Sequence, residues 1–117
     1  LKTILIVDDD EPTQKLLEVL MQRYGFATEI AADGAAAISR LRDGDYAVVI
    51  LDLMMPEVGG RDVLAFIDEQ QKPVKVVVCT ATLPVREEEF DPQFVKAVVR
   101  KPFDIEQLAA TVAGLAE

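Results

Sequence analysis

The sequence predicts a doubly wound α/β domain, a five-stranded parallel sheet with helices on both faces. Short runs of aliphatic and β-branched residues alternate with stretches whose apolar residues recur at helical spacing. The runs Ala47 to Leu51 and Val74 to Cys79 are apolar throughout apart from Lys75, as strands covered on both faces are. Turn and capping residues, among them Pro12, Gly25, the pair Asp33-Gly34 and Gly44, fall between the runs. A chain of 117 residues has the length of one domain, able to bury roughly two-thirds of the surface its unfolded form exposes. No repeat, low-complexity tract or linker interrupts it, so residues 1–117 are expected to form one unit.

The elements follow in order. Lys2 to Val7 is a β-rich strand, and Asp10 or Glu11 then starts a helix, since Pro12 suits a first helical turn. Leu16, Leu17, Leu20, Met21 and Tyr24 repeat along that helix, and Gly25 ends it. Thr28 to Ala31 reads as the second strand. Asp33-Gly34 opens a helix with Ala37, Ile38 and Leu41 on one side, closed by Gly44. The third strand ends in Asp52, and Met54 to Gly60 forms a loop in which Gly59 and Gly60 serve the turn. A helix from Arg61 to Gln71 carries Val63, Leu64 and Ile67 inward, before the fourth strand at Val74 to Cys79. Between Thr80 and Ala97, Pro84 and Pro92 leave no room for a long regular helix from Arg86 to Lys96, and a short or broken fourth helix is expected there. A strand at Ala97 to Val99 and a helix from Asp104 to Ala116 complete the chain.

Composition narrows the chemistry. With 21 acidic against 12 basic residues the formal net charge is −9. A nonspecific grip on nucleic acid phosphates is not expected of such a surface, whereas cations and basic partners fit it. There is no histidine, which excludes a Ser-His-Asp triad, a Cys-His pair and imidazole metal ligands, and leaves oxygen chemistry. Cys79, the one cysteine, lies in an apolar run and reads as a packing residue. No apolar run approaches the ~20 residues of a membrane span and no signal-peptide pattern opens the chain, so a cytoplasmic domain is expected. The first residue is Leu1 and not methionine, which fits one domain of a longer protein.

In an open α/β sheet, ligands gather beyond the carboxyl ends of the strands. Asp8 and Asp9 follow the first strand, Asp52 the third, Thr80 the fourth, and Lys101 with Pro102 the fifth. Crowded carboxylates either raise their pKa values or bind a cation, and an all-oxygen site with few protein ligands suits Mg²⁺. Asp9 and Asp52 could bind it directly, Asp8 through water, with a backbone carbonyl of the following loop completing the set. A metal alone leaves Lys101 unexplained. An anion between metal, lysine and the Thr80 hydroxyl explains all of them, and phosphoryl is the obvious candidate.

With ILIVDDDEP, ADGAAAI, VVILDLMMPEVGG, VVVCTA and KPF in this order, the whole chain resembles the receiver domains of two-component response regulators, of the CheY-like superfamily. The resemblance implies a (βα)5 flavodoxin-like fold and a phosphorelay function that is not that of a conventional enzyme. Asp52 would be the phosphoacceptor, taking its phosphoryl group from a histidine kinase or histidine phosphotransfer protein in a Mg²⁺-dependent reaction, and losing it slowly by itself. Asp8 and Asp9 would hold the metal with Asp52 and the Met54 main-chain carbonyl. Thr80 would be the switch hydroxyl and Lys101 the lysine that pairs first with the acids and then with the phosphoryl oxygens. Ala81 would leave access to Asp52, and Met54 and Thr82 occupy positions that tune acyl-phosphate hydrolysis.

Two departures stand out. Val98 occupies a position, three before the lysine, that is commonly aromatic in this family, and the segment from Thr80 to Lys101 carries two prolines and lacks the usual Gly-Ala turn. Output through an altered face around the fourth and fifth units is therefore expected. Two other readings compete. A pseudo-receiver would keep the fold and bind without phosphotransfer. A haloacid-dehalogenase-like phosphatase would use Asp8 as nucleophile, but its pattern expects Thr or Val where Pro12 stands, and the 16 residues after Lys101 leave little space for a further acidic motif and strand. Asp10, Glu11 and Asp33 are assigned to helix starts, and Glu87, Glu88 and Glu89 to a solvated face.

Overall fold

The computed structural model describes residues 2–81 and 89–117. Among the described residues nine elements follow one another: β1 (Thr3–Val7), α1 (Glu11–Arg23), β2 (Ala27–Ala31), α2 (Gly34–Asp43), β3 (Val48–Asp52), α3 (Gly60–Gln70), β4 (Lys75–Thr80), β5 (Val95–Arg100) and α4 (Ile105–Ala116). The strands form one parallel sheet in the order β2-β1-β3-β4-β5. The winding reverses between β1 and β3, and the strand ends carrying Asp8 and Asp52 meet at that point.

Alternation along the strands divides the interior into two layers. Ile4, Ile6, Val48, Ile50, Val77 and Cys79 pack under α1 and α4. Leu5, Val7, Val49, Leu51, Val76 and Val78 pack under α2 and α3. β1, β3 and β4 are covered on both faces, as their unbroken apolar runs require. None of the described helices is long and apolar enough to cross a membrane.

Asp10, Asp33 and Asp104 are the N-caps of α1, α2 and α4, each accepting hydrogen bonds from first-turn N–H groups. The start of α1 is thus Asp10 as cap with Glu11 in the first turn. Its inward face differs from the expected one. Gln14, Leu17 and Met21 are buried, while Leu16 and Tyr24 are about half exposed. A spacing of three and then four residues sets the buried line, and Leu16 and Tyr24 lie off it.

β5 is longer than the expected Ala97 to Val99. Its pairing with β4 slips between Val76 and Val77, where Val95 and Ala97 are the partners, so that exposed Lys96 is passed over. An edge strand tolerates such a bulge because only one side is paired. The short or broken helix expected between Arg86 and Lys96 has its first positions, 86–88, outside the described residues, where Thr82 and the first two residues of the Glu87 to Glu89 run also lie. Residues 89–94 form turns and no α-helix. Glu89 is exposed and pairs with Arg61 at 3.2 Å.

Candidate functional site

The site is assembled by strand ends. The sheet holds Val7 between Ala31 and Leu51, and the next residue, Asp8, leaves the ladder with its carboxylate buried. Asp52 ends β3 beside Cys79 of β4 and is also buried. Asp9 is exposed at the rim. Carboxylate oxygens of Asp8, Asp9 and Asp52 all lie within 4.8 Å of one another.

Each buried carboxylate is held from two sides. Asp8 accepts the Asp10 N–H on Oδ1 at 2.8 Å and the Lys101 ammonium on Oδ2 at 3.0 Å. Asp52 accepts the Met54 N–H on Oδ1 at 3.0 Å, and Lys101 Nζ lies 3.3 Å from its Oδ2. One lysine therefore bridges the two acids at the mouth of β1 and β3. Lys101 is placed by the strand register, because its N–H bonds the Thr80 carbonyl at 2.8 Å immediately after the β4–β5 ladder.

Electrostatics follow from this crowding. Burial pushes the Asp52 carboxyl above the ordinary range, and nearby Asp8 adds to the rise, against the Met54 N–H and Lys101, which favour the charged form. For Lys101, burial pulls downward, but the bond to Asp8 and the charges of Asp8 and Asp52 outweigh it and raise its pKa. Burial drives the Cys79 thiol to about 12, so it is a packing group under the site and not a nucleophile at neutral pH.

The loop between β3 and α3 is braced by two close approaches. The Gly34 N–H donates to the Val58 carbonyl at 3.1 Å, and a Cβ on Gly34 would stand 2.2 Å from that oxygen. A Cβ on Gly60 would stand 2.6 Å from the Asp52 carbonyl and from Leu53 Cα. α3 can therefore start directly against the residue after Asp52 only because position 60 has no side chain. Gly59 and Gly60 thus serve the turn, as expected from the sequence.

All the residues singled out at the strand ends converge. Asp8, Asp9, Asp52 and Lys101 form one cluster, and Thr80 lies fully buried at the adjacent end of β4. Met54 contributes its N–H to Asp52 while its side chain is exposed. The donor set is entirely oxygen and carries three acidic groups, which fits a hard cation and not a soft one. Val98 is partly buried against the layer under α2 and α3, opposite Val78. Sequence reasoning missed Gln14, whose side-chain amide donates to the Asp8 main-chain carbonyl. Its inward position is set by the rotation of α1 against the sheet, for which the sequence offers no signal.

Residues 4–113 match the family model described as response regulator receiver domain. The transcriptional regulatory protein YkoG of Bacillus subtilis is 30% identical over 111 residues, covering 93% of this chain and 48% of that protein. The transcriptional regulatory protein SrrA of Staphylococcus aureus is 31% identical over 113 residues, covering 96% of this chain and 46% of that protein. The chain spans about half the length of these curated relatives. Among solved structures, the response regulator protein TrrA of Thermotoga maritima, in complex with Mg²⁺-BeF, superposes with a TM-score of 0.84 at 30% identity, over 98% of this chain and 99% of that one. The receiver domain of the Francisella response regulator 1452 superposes with a TM-score of 0.88 at 26% identity, over 99% and 97% of the two chains.

Proposed function

The chain belongs to the response regulator receiver domain family, and from that membership we propose that Asp52 accepts a phosphoryl group from a phosphohistidine of a sensor kinase or histidine phosphotransfer protein. The observation that carries the assignment to Asp52 is the bridge from Lys101 to Asp8 and Asp52, within an acidic cluster that Asp9 completes. A lysine so placed neutralises buried acids at rest and lies beside the oxygen that would carry the phosphoryl group.

In the step itself, a carboxylate oxygen of Asp52 attacks phosphorus. An O–P bond forms as the P–N bond breaks, and the electron pair returns to the donor imidazole. The Met54 N–H holds the other Asp52 oxygen and so orients the attacking one. Lys101 then offsets charge on the phosphoryl oxygens, and the Thr80 hydroxyl, at the end of the neighbouring strand, bonds one of them. Asp8, Asp9, Asp52 and the Met54 main-chain carbonyl would hold Mg²⁺, which when bound supplies positive charge to the crowded carboxylates and to the incoming group.

Residues 1–117 act in this reading as one receiver, in the cytoplasm, whose change of conformation controls an effector. Relatives named as transcriptional regulatory proteins are about twice as long as this chain, and with its net charge of −9 this domain is not suited to grip DNA phosphates itself. Slow autodephosphorylation returns the domain to rest.

Acetyl phosphate or phosphoramidate with Mg²⁺ should add the mass of one phosphoryl group to the intact protein, and Asp52→Ala should remove this. An unmodified wild-type mass would favour the pseudo-receiver reading instead.

A further inference from the structure

We propose that Gln14 is a positioning residue of the acidic site, whose side-chain amide fixes the Asp8–Asp9 peptide and thereby sets the affinity of the pair for a divalent cation. This rests on the proposed metal role of Asp8 and Asp9. Gln14 is buried on the line of α1 that otherwise carries Leu17 and Met21. An amide placed among aliphatic side chains loses water without return unless it finds a partner. Its partner is the Asp8 main-chain carbonyl, to which Gln14 Nε2 donates.

That carbonyl needs one. The ladder of β1 runs only to Val7, opposite Ala31 and Leu51, and the Asp8 N–H still reaches the Ala31 carbonyl at 3.2 Å. The Asp8 carbonyl lies beyond these pairings, next to a buried side chain, and an unpaired buried carbonyl costs about as much as a lost hydrogen bond. Gln14 therefore does from α1 what a neighbouring strand does for the residues before it. The peptide it grips joins Asp8 to Asp9, so its plane determines where both carboxylates start. The Asp8 side chain has further restraints, from the Asp10 N–H and Lys101. Asp9 is exposed at the rim, and its direction depends on the peptide that Gln14 holds.

Gln14→Met keeps the size and burial but has no donor. Gln14→Asn keeps the amide but is too short to reach. Following backbone amide resonances during Mg²⁺ titration gives the Kd directly, and the melting temperature in EDTA gives the stability of the metal-free fold. We expect both variants to raise the Mg²⁺ Kd at least threefold, with Gln14→Met still folding cooperatively and melting several degrees below wild type in EDTA, as the loss of one buried hydrogen bond requires. Leu17→Ala, one turn further along the same buried line, should lower the melting temperature and leave the Kd unchanged. A Gln14→Met Kd within twofold of wild type would overturn the proposal, as would a Leu17→Ala Kd that rises as much. If wild type itself shows no Mg²⁺ binding, the metal role of the acidic pair falls together with this inference; if wild type binds and Gln14→Met binds equally, only this inference falls.

Discussion

At the carboxyl end of the sheet, Asp8, Asp9 and Asp52 crowd around Lys101. At the amino end, Lys2 and Lys75 give their ammonium groups to the Ala116 and Leu115 carbonyls, in the last turn of α4. The two ends use lysine differently. Below, positive charge meets helix carbonyls with no partner of their own, an arrangement that stabilises the fold and asks nothing of function. Above, one lysine offsets two buried acids incompletely, and the remaining repulsion disposes the site to take up a cation. The carboxyl end is the costly end, and the rest of the domain must be stable enough to carry it.

The contrast can be broken most severely at Lys101. Lys101→Met leaves Asp8 and Asp52 facing each other without their cation, and should lower metal-free stability by about 2–4 kcal/mol, somewhat under the roughly 3–5 kcal/mol for stripping a fully buried pair of one partner, because Lys101 is partly exposed. Urea denaturation in EDTA reads this, and an unchanged midpoint would show that the bridge is idle. Gly60→Ala comes next. Its Cβ would meet backbone at 2.6 Å, so either α3 or the end of β3 must move, at a cost of roughly 1–3 kcal/mol.

Asp52→Asn should have the opposite sign. Removing one of the crowded charges is expected to stabilise the metal-free protein by about 1 kcal/mol, a gain of several degrees in Tm for a domain of this size. Because burial raises the Asp52 pKa, the folded state holds that proton more tightly than the unfolded chain. Wild-type stability in EDTA should therefore fall as pH rises from the ordinary carboxylate range through the raised value, and Asp52→Asn should lose that part of the slope. Millimolar Mg²⁺ should raise the wild-type Tm and raise that of Asp52→Asn less. Lys75→Met at the other end is the mildest change. It should cost about 0.3–1 kcal/mol and leave the response to Mg²⁺ untouched.

Much of this was legible in the sequence because it rests on local rules. Unbroken apolar runs located β3 and β4, and aspartates before helical patterns located three N-caps. The order of strands then carried Asp8, Asp52, Thr80 and Lys101 to one edge. What was not legible depends on relations between elements. The bulge at Lys96 lengthens β5 because an edge strand has a free side, and no feature of VKAVVR announces it. The inward turn of Gln14 depends on the rotation of α1 against the sheet, which the many leucines of that helix leave undetermined. Leu16 and Leu17 look alike in sequence, yet one is about half exposed and the other buried. The Arg61 contacts to Glu89 and Phe90 join α3 to the segment before β5, across a separation that periodicity does not reach.

Asp52, and neither member of the Asp8–Asp9 pair, is the residue proposed to receive the phosphoryl group. Treating the acetyl phosphate-labelled protein with borohydride converts an aspartyl phosphate to homoserine, which peptide mass spectrometry can place. Homoserine is expected at position 52 alone. Homoserine at position 8 or 9 would contradict it, and would return the chain to the phosphatase-like reading of its first strand.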